Sequence, residues 1–166
     1  MGKFPTASFT LAARALVAAC VIAACVLAAA PPLHAYWIAD GVPLCTATGN
    51  QITPQAVSDG AGGAIVVWQD YYGGTWDIFA QRVSAAGEPL WAADGIALCT
   101  ATGHQYSPMI VSDGAGGAIV TWYDERSGNQ DIYVQRVDVS GVPQWTVNGV
   151  ALCTAASTFE FLDLYL

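Results

Sequence analysis

The chain has 166 residues and a strongly acidic balance, with 13 Asp and Glu against 5 Lys and Arg and a net charge of −8. Its length fits one ordinary domain. A surface of this sign repels phosphate backbones and anionic lipid headgroups, which argues against nucleic-acid binding.

The first 35 residues have the layout of a secretory signal peptide. Lys3 and Arg14 supply a basic start, an apolar run follows from Ala15 to Ala30, and Ala35 offers a small residue for cleavage. A retained membrane anchor is the rival interpretation, but roughly 16 apolar residues fall short of the ~20 that a spanning helix needs. The sequence therefore predicts a secreted or cell-surface protein. Its charge without the leader would be −10, because 3 basic residues then face 13 acidic ones.

A lipid anchor is a third interpretation of the leader. The residues before Cys20 and those before Cys25 both resemble the bacterial lipobox, in which the cysteine is lipidated. The chain stays apolar after Cys25, whereas lipoproteins usually continue into a polar tether. We therefore expect contact with a membrane only if the protein is lipidated or keeps its leader.

The rest of the chain is dominated by an internal repeat. Residues 37–90 (repeat 1) recur without a gap as residues 91–144 (repeat 2), with about 32 of the 54 positions identical. A partial third copy covers residues 145–155, and the tail at residues 156–166 has no counterpart upstream. A unit of this length made of short strands stacks on its neighbours, because it cannot bury its apolar face alone. Residues 36–155 are thus predicted to form one repeat region.

Each repeat contains four short candidate strands separated by turn-forming residues. Asp-Gly followed by further glycines supplies the positive-φ positions of a tight hairpin, and the nearly continuous apolar run after it suits a strand covered on both faces. The candidate strands are residues 54–58, 64–69, 77–83 and 90–91 in repeat 1, the last with an optional continuation over 96–99, and 108–112, 118–123, 131–137 and 145–153 in repeat 2. The pattern predicts an all-β fold of two four-stranded antiparallel propeller-like blades, an orphan outer strand at residues 37–45 and a partial third repeat.

The string from Asp113 to Val137 resembles the repeat of secreted bacterial propeller-like proteins. Those repeats combine an Asp-Gly-x-Gly-Gly turn, a Trp-x-Asp-x-Arg-x-Gly loop and an Asp-Ile-Tyr-x-Gln-Arg strand, and the resemblance covers residues 37–153. It implies a propeller-like array and no defined activity. Repeat 1 departs from the motif, since Tyr72 stands where repeat 2 has Arg126. Any role of that arginine therefore cannot be shared by both repeats.

Three cysteines occupy one equivalent position in successive units: Cys45, Cys99 and Cys153. Equivalent points on stacked sheets are ~10 Å apart, whereas a disulfide needs Cα atoms within ~7 Å. We therefore predict small buried side chains with free thiols, rather than a disulfide framework or a metal site.

Two aspartates and two arginines recur with the repeat. Asp59 and Asp113 precede glycine in a turn, where we expect them to accept backbone N–H groups. Calcium binding there is the weaker alternative, because one carboxylate is far short of six to eight oxygens. Arg82 and Arg136 lie in the middle of apolar strands and must find partners if buried. We predict a repeated structural ion pair or carbonyl contacts, with a ligand-binding arginine as the alternative.

Two pairs of carboxylates flank the connection between the second and third strands. These are Asp70 with Asp77, and Asp124 with Asp131. Such pairs are candidate ligands for a cation such as calcium, or candidates for acid–base catalysis. Because the pair recurs in both repeats, capping of loop and strand ends is the favoured interpretation. No cofactor is predicted.

Aromatic residues also recur at fixed places. If Asp70 pairs with Asp77, Trp68 falls opposite Phe79, and Trp122 correspondingly opposite Tyr133, as packing pairs. A carbohydrate-stacking platform is the alternative. It would use the rings of Tyr71, Tyr72 and Trp76, which repeat 2 does not keep.

No catalytic or cofactor motif is evident. His104, without an equivalent in repeat 1, is expected to be an ordinary surface residue. These observations predict an exported, non-enzymatic β-repeat module that serves as a scaffold or as a binding or adhesion surface, and that is a fragment of a longer propeller protein. Its expected partners are further blades, copies of itself, or a surface glycan or protein. The alternative is part of a propeller hydrolase or glycan-binding enzyme whose active residues lie in missing blades.

Overall fold

The computed structural model of the chain describes residues 40–154. The predicted leader, the start of repeat 1 at Trp37 and the tail at residues 156–166 lie outside the described residues. Eight β-strands make up the regular structure of the described part. Within residues 40–154 there is no helix of the length and hydropathy required to cross a membrane.

The strands form two four-stranded antiparallel sheets, as predicted. Sheet A has the order β1-β2-β3-β4 and sheet B the order β5-β6-β7-β8. In sheet A the strands are β1 (Gln51–Ser58), β2 (Ala64–Tyr72), β3 (Thr75–Val83) and β4 (Ile96–Cys99). In sheet B they are β5 (Gln105–Ser112), β6 (Ala118–Asp124), β7 (Asp131–Val137) and β8 (Val150–Cys153). Over residues 40–154 the two sheets do not close into a ring.

The first strand of each sheet is longer than the sequence indicated. β1 begins at Gln51, three residues before Pro54, and its register with β2 shifts between Ile52 and Gln55. Thr53 has a φ of 51° at this point, and Ser107 in β5 has a φ of 49°. A bulge accommodates the following proline, which has no N–H to give to the ladder. The proline therefore interrupts the strand without starting it.

The last strand of each sheet is shorter than predicted. β4 covers Ile96–Cys99, and before it only an isolated bridge joins Pro89 to Val83. The predicted outer strand ending at Cys45 is not a strand over its described residues, 40–45. Its repeat equivalent, β4, pairs with β3, and a strand forms only where a neighbour satisfies its backbone groups.

The register between the two central strands matches the prediction. Asp70 pairs with Asp77 and Trp68 with Phe79, and sheet B repeats both pairings. The ring centroids of Trp68 and Phe79 are 6.4 Å apart, as are those of Trp122 and Tyr133. These pairs place an indole and a carboxylate on the same face of each sheet, because residues two apart on a strand point the same way.

Sheet B packs on one face of sheet A through β5, which lies against β1, β2 and β3. One hydrophobic cluster joins buried residues of both sheets, including Ile65 and Val67 of β2 and Val120 of β6. A polar contact also crosses the interface, since Ser107 N donates to Gln69 Oε1 over 2.9 Å. The core therefore lies between the repeats, as expected for units that bury their faces by stacking.

A second, repeated contact fixes the turn before the last strand. Thr46 N donates to Asp94 Oδ1 over 2.7 Å, and Thr100 N donates to Asn148 Oδ1 over 3.0 Å. Asp94 and Asn148 both have a φ of 62°, a conformation that Asp and Asn tolerate better than most residues. A Cβ on the following Gly95 would lie 2.6 Å from the Trp68 ring. The equivalent Gly149 lies as close to the Trp122 ring, so the turn packs against the tryptophan in each sheet.

Candidate functional site

The repeated aspartates of the glycine turns have the same contacts in both repeats. Asp59 Oδ1 accepts the N–H groups of Ala61 and Gly63, both at 2.8 Å, and its Oδ2 lies 2.8 Å from Arg82 Nη2. Asp113 forms the equivalent pair with Arg136, also at 2.8 Å. Backbone hydrogen bonds, against an opposing effect of burial, and then the arginine keep the pKa of both aspartates below its usual range. Each pair ties a hairpin turn to the third strand of its sheet.

Arg82 has one contact that its equivalent lacks. Its Nη1 donates to the carbonyl of Val139 in the other repeat over 3.1 Å, and Trp91 Nε1 donates to the same carbonyl over 3.2 Å. The arginine of repeat 1 therefore joins the two repeats as well as its own turn.

The buried carboxylate of Asp124 in sheet B receives a guanidinium group. Arg126 Nε donates to Asp124 Oδ1 over 2.8 Å and Arg126 Nη2 to Asp124 Oδ2 over 2.6 Å. The backbone N–H of Arg126 also donates to Oδ1, over 3.0 Å. This bidentate geometry is the strongest arrangement available to an arginine and a carboxylate. Burial by itself would raise the pKa of Asp124, but the hydrogen bonds from Arg126 and Trp122 hold it below its usual range.

Three further groups surround the guanidinium. Arg126 Nη2 donates to the carbonyl of Asn148 over 2.7 Å and lies 3.2 Å from Cys99 Sγ. The carbon of the guanidinium lies 3.8 Å from the centroid of the Tyr133 ring, a cation–π contact. We refer to the set of Asp124, Trp122, Cys99, Asn148 and Tyr133 as the Asp124 cradle.

Sheet A contains the equivalent set, which we call the Asp70 cradle. Its members are Asp70, Trp68, Cys45, Asp94 and Phe79. Three donors point to one carboxylate oxygen: Asp70 Oδ2 lies 3.2 Å from Trp68 Nε1, 3.3 Å from Gln51 Nε2 and 3.8 Å from Cys45 Sγ.

The other oxygen of Asp70 is different. Oδ1 is buried and has no hydrogen-bond partner, and it is the one such side-chain atom in residues 40–154. In sheet B the corresponding oxygen accepts the N–H and Nε–H of Arg126. Tyr72, at the position of that arginine, is 65 % exposed and turns away from the carboxylate.

The second carboxylate of each pair is also buried. Asp77 lies opposite Asp70, and burial, together with repulsion from the Asp70 carboxylate, raises the pKa of Asp77 from 3.8 to about 6. With its amide nitrogen facing them, Gln105 donates to Asp77 Oδ1 over 3.2 Å and to the carbonyl of Trp76 over 3.1 Å. In sheet B, Asp131 accepts the hydroxyl of Ser127 over 2.7 Å.

The histidine expected on the surface lies at the junction of the repeats. His104 is half-buried, its Nδ1 accepts the backbone N–H of Trp76 over 3.2 Å, and its ring lies 5.6 Å from that of Tyr106. The contact joins β3 of sheet A to the segment before β5. No repeat signal in the sequence could have indicated it, because repeat 1 has an asparagine at this position.

The alternative aromatic platform is only partly assembled. The rings of Tyr71 and Trp76 are 4.9 Å apart and tilted by 53°, and Tyr72 projects separately into solvent. The three rings therefore do not form one flat stacking surface.

The cysteines at the repeat junction are thiols. Cys45 and Cys99 form no disulfide, and burial raises the pKa of both, that of Cys99 to about 12. A thiol with a pKa in this range stays protonated and is a poor nucleophile or metal ligand. Cys153 lies at the end of β8, opposite Ile132.

The remaining candidate cation ligands do not converge. Residues 40–154 contain no group of three or more His, Cys, Asp or Glu arranged to hold a metal ion. Asp70 and Asp77 stand side by side in sheet A, and Asp124 and Asp131 in sheet B, and each of these carboxylates accepts its own amide, hydroxyl or guanidinium donor.

The described chain thus defines a class of all-β protein made of stacked four-stranded sheets with repeated buried carboxylates. Comparison with protein-family models, curated proteins and solved structures yields no match.

Proposed function

We propose that this chain is an exported, non-enzymatic β-repeat module that acts as a scaffold or binding surface by stacking on further units of its own kind. The observation that carries the proposal is a difference in burial between equivalent leucines. Leu98 of β4 is 2 % exposed because sheet B covers that face, whereas Leu152 of β8 is 58 % exposed. An exposed apolar sheet face of this kind is typical of an interaction site.

The repeated polar contacts support the same interpretation. Both turn aspartates hold an arginine of their own sheet, and the Asp94 and Asn148 turns tie successive units together. Each contact occurs once per repeat, so a further unit can be added with the same geometry. The unit stacked on sheet B would come from a longer chain or from a second copy, and its face would resemble the one that sheet B presents to sheet A.

Self-association of the purified chain tests the proposal. We expect sedimentation velocity to show species larger than the monomer at tens of micromolar protein, and Leu152→Asp to reduce them by placing a charge on the open face of sheet B. The matched control is Leu90→Asp, which changes an equally apolar side chain that is 47 % exposed but lies outside the strands. A monomer at all concentrations, or equal effects of the two variants, would contradict the proposal.

A further inference from the structure

The two cradles occupy equivalent positions, with Phe79 for Tyr133 and Asp94 for Asn148, and they differ most in the group that binds Oδ1 of the aspartate. Both contain a buried aspartate that accepts an indole N–H and a cysteine thiol, together with an aromatic ring on the third strand that stacks with the indole. In sheet B these groups surround the guanidinium of Arg126. In sheet A the position of that arginine is occupied by Tyr72, whose side chain points into solvent.

The unsatisfied atom indicates what the Asp70 cradle lacks. Asp70 is 3 % exposed, and its Oδ1 corresponds to the oxygen that accepts two hydrogen bonds from Arg126 in sheet B. A buried carboxylate oxygen without a donor costs free energy comparable to a lost charge-assisted hydrogen bond. The arginines of residues 40–154 cannot supply this donor, because each is paired with another aspartate.

We propose that the Asp70 cradle binds a guanidinium group supplied from outside the repeat, either the arginine side chain of another polypeptide or a small guanidinium compound. The planar fork of a guanidinium matches the free carboxylate oxygen of Asp70, and its face matches the Phe79 ring, which takes the place of the Tyr133 ring that contacts Arg126 in sheet B. A metal ion fits the same groups poorly, since one carboxylate and a protonated thiol fall short of the oxygen ligands that calcium or magnesium takes.

The surroundings favour a cation. Asp77 is paired directly with Asp70 in the sheet, so a second carboxylate adds to the negative potential at this end of the strands. The raised pKa of Asp77 has repulsion from Asp70 as its second cause, and a cation in the cradle would relieve that repulsion. The site does not depend on stacking with further units, so it can be tested separately from the proposed function.

The two tryptophans provide a reporter and an internal control within one molecule. We suggest ¹⁹F NMR of the full chain labelled with 5-fluorotryptophan, with the signals of Trp68 and Trp122 assigned from single Phe variants. On titration with ethylguanidinium chloride we expect the Trp68 signal to shift and saturate at millimolar concentration, and the Trp122 signal to stay in place because Arg126 fills its cradle. Ethylammonium chloride at equal ionic strength should bind about tenfold more weakly, because it lacks the planar fork.

Two variants exchange the residues that distinguish the cradles, Tyr72 and Arg126. Tyr72→Arg should fill the Asp70 cradle from within the chain and abolish the response of Trp68, whereas the matched control Tyr72→Phe should keep it. Arg126→Tyr should create a response at Trp122. The proposal is overturned if ethylguanidinium does not move the Trp68 signal, if ethylammonium moves it equally, or if Tyr72→Arg leaves the response intact.

The source of the guanidinium is distinguished by a second titration. N-acetyl-arginine-amide carries the same group on a peptide backbone. Saturation of the Trp68 signal by this compound at a similar concentration supports an arginine side chain of a partner polypeptide. Saturation by ethylguanidinium alone supports a small guanidinium compound.

Discussion

The two repeats show how a change in one hairpin alters the environment of a buried charge. In sheet A the hairpin from β2 to β3 continues past the carboxylate pair to Tyr72 and Thr75, and Gly73 and Gly74 close it with φ values of 67° and 99°. In sheet B the ladder ends at Asp124 and Asp131. The irregular loop of residues 125–130 brings Arg126 back over Asp124.

The comparison shows that different parts of the chain place the buried aspartate and supply its cationic partner. The strands place Asp70 and Asp124 in the same register, next to the same indole and thiol. The residues that connect the second and third strands determine whether an arginine reaches this aspartate. A two-residue turn with two positive-φ glycines favours a regular hairpin, in which Tyr72 pairs with Thr75 and stays exposed. The following four experiments test this comparison.

Removal of the guanidinium from sheet B should have the largest effect. Arg126→Tyr makes repeat 2 resemble repeat 1 and leaves Asp124 buried without its cation, so we expect the free energy of unfolding to fall by about 3 kcal/mol. Urea denaturation followed by tryptophan fluorescence measures this change. Tyr72→Phe is the control in repeat 1 and should change stability by less than ~0.5 kcal/mol. Equal stability of Arg126→Tyr and the parent protein would show that the ion pair makes no net contribution.

Arg82 and Arg136, which pair with the aspartates of the glycine turns, should contribute unequally to stability although both ion pairs have an N–O distance of 2.8 Å. The Arg82 side chain is 15 % exposed and that of Arg136 is 38 % exposed. Arg82 also binds the Val139 carbonyl of the other repeat. We expect Arg82→Met to destabilise the protein by about 2 kcal/mol and Arg136→Met by about 1 kcal/mol, because screening weakens the more exposed pair. The same denaturation series measures both variants, and the reverse order would contradict this view of the repeat junction.

The reciprocal exchange in sheet A should stabilise the protein. Tyr72→Arg offers a donor to the unpartnered Oδ1 of Asp70, and a charge-assisted hydrogen bond there should raise the free energy of unfolding by about 1 kcal/mol. The gain is smaller than the loss in Arg126→Tyr because the Gly73-Gly74 turn must also rearrange. Tyr72→Lys is the matched control, with charge but no fork, and should give less. A decrease in stability for both variants would mean that the hairpin does not allow the side chain to fold back.

The smallest effect concerns pH and the second carboxylate. Because the folded-state pKa of Asp77 is about 6, above the unfolded value of 3.8, its stabilising contribution is present below about pH 4 and is lost as the pH rises through about 6. Asp77→Asn should therefore be more stable than the parent by about 1 kcal/mol near pH 7.5 and not near pH 4. Thermal unfolding at several pH values measures the difference. The matched variant Asp131→Asn loses the charged acceptor of the Ser127 hydroxyl, so it should show no such gain.

Much of the fold could be predicted from the repeat and its strand pattern. The apolar runs and glycine turns predict two four-stranded antiparallel sheets, and a pairing of Asp70 with Asp77 predicts that Trp68 lies opposite Phe79, as it does. The strand ends were less accurate. The sequence predicts that a strand starts at Pro54, but the strand begins at Gln51, since the bulge that accommodates the proline has no sequence signal of its own.

Only part of the candidate site could be predicted from the sequence. The exchange of Arg126 for Tyr72 showed that the repeats differ in one cation, but not which carboxylate it binds. Whether Arg126 reaches Asp124 is set by whether the loop after β6 folds back. The Cys99 and Asn148 groups come from segments 25 and 22 residues distant in sequence from their partners Asp124 and Arg126. The unpartnered Asp70 oxygen could therefore be seen only in the folded chain.

The sequence by itself determined the repeat, the strand type and the alternation that brings Trp68, Asp70 and their equivalents to one face of each sheet, because these follow from local backbone chemistry and a period of two. Only the tertiary structure decided that sheet B covers Leu98 and leaves Leu152 exposed, and that one of two equivalent aspartates is neutralised. The physical reason is that burial and charge pairing depend on which segments meet in space. Two repeats with most of their residues in common can therefore differ in both.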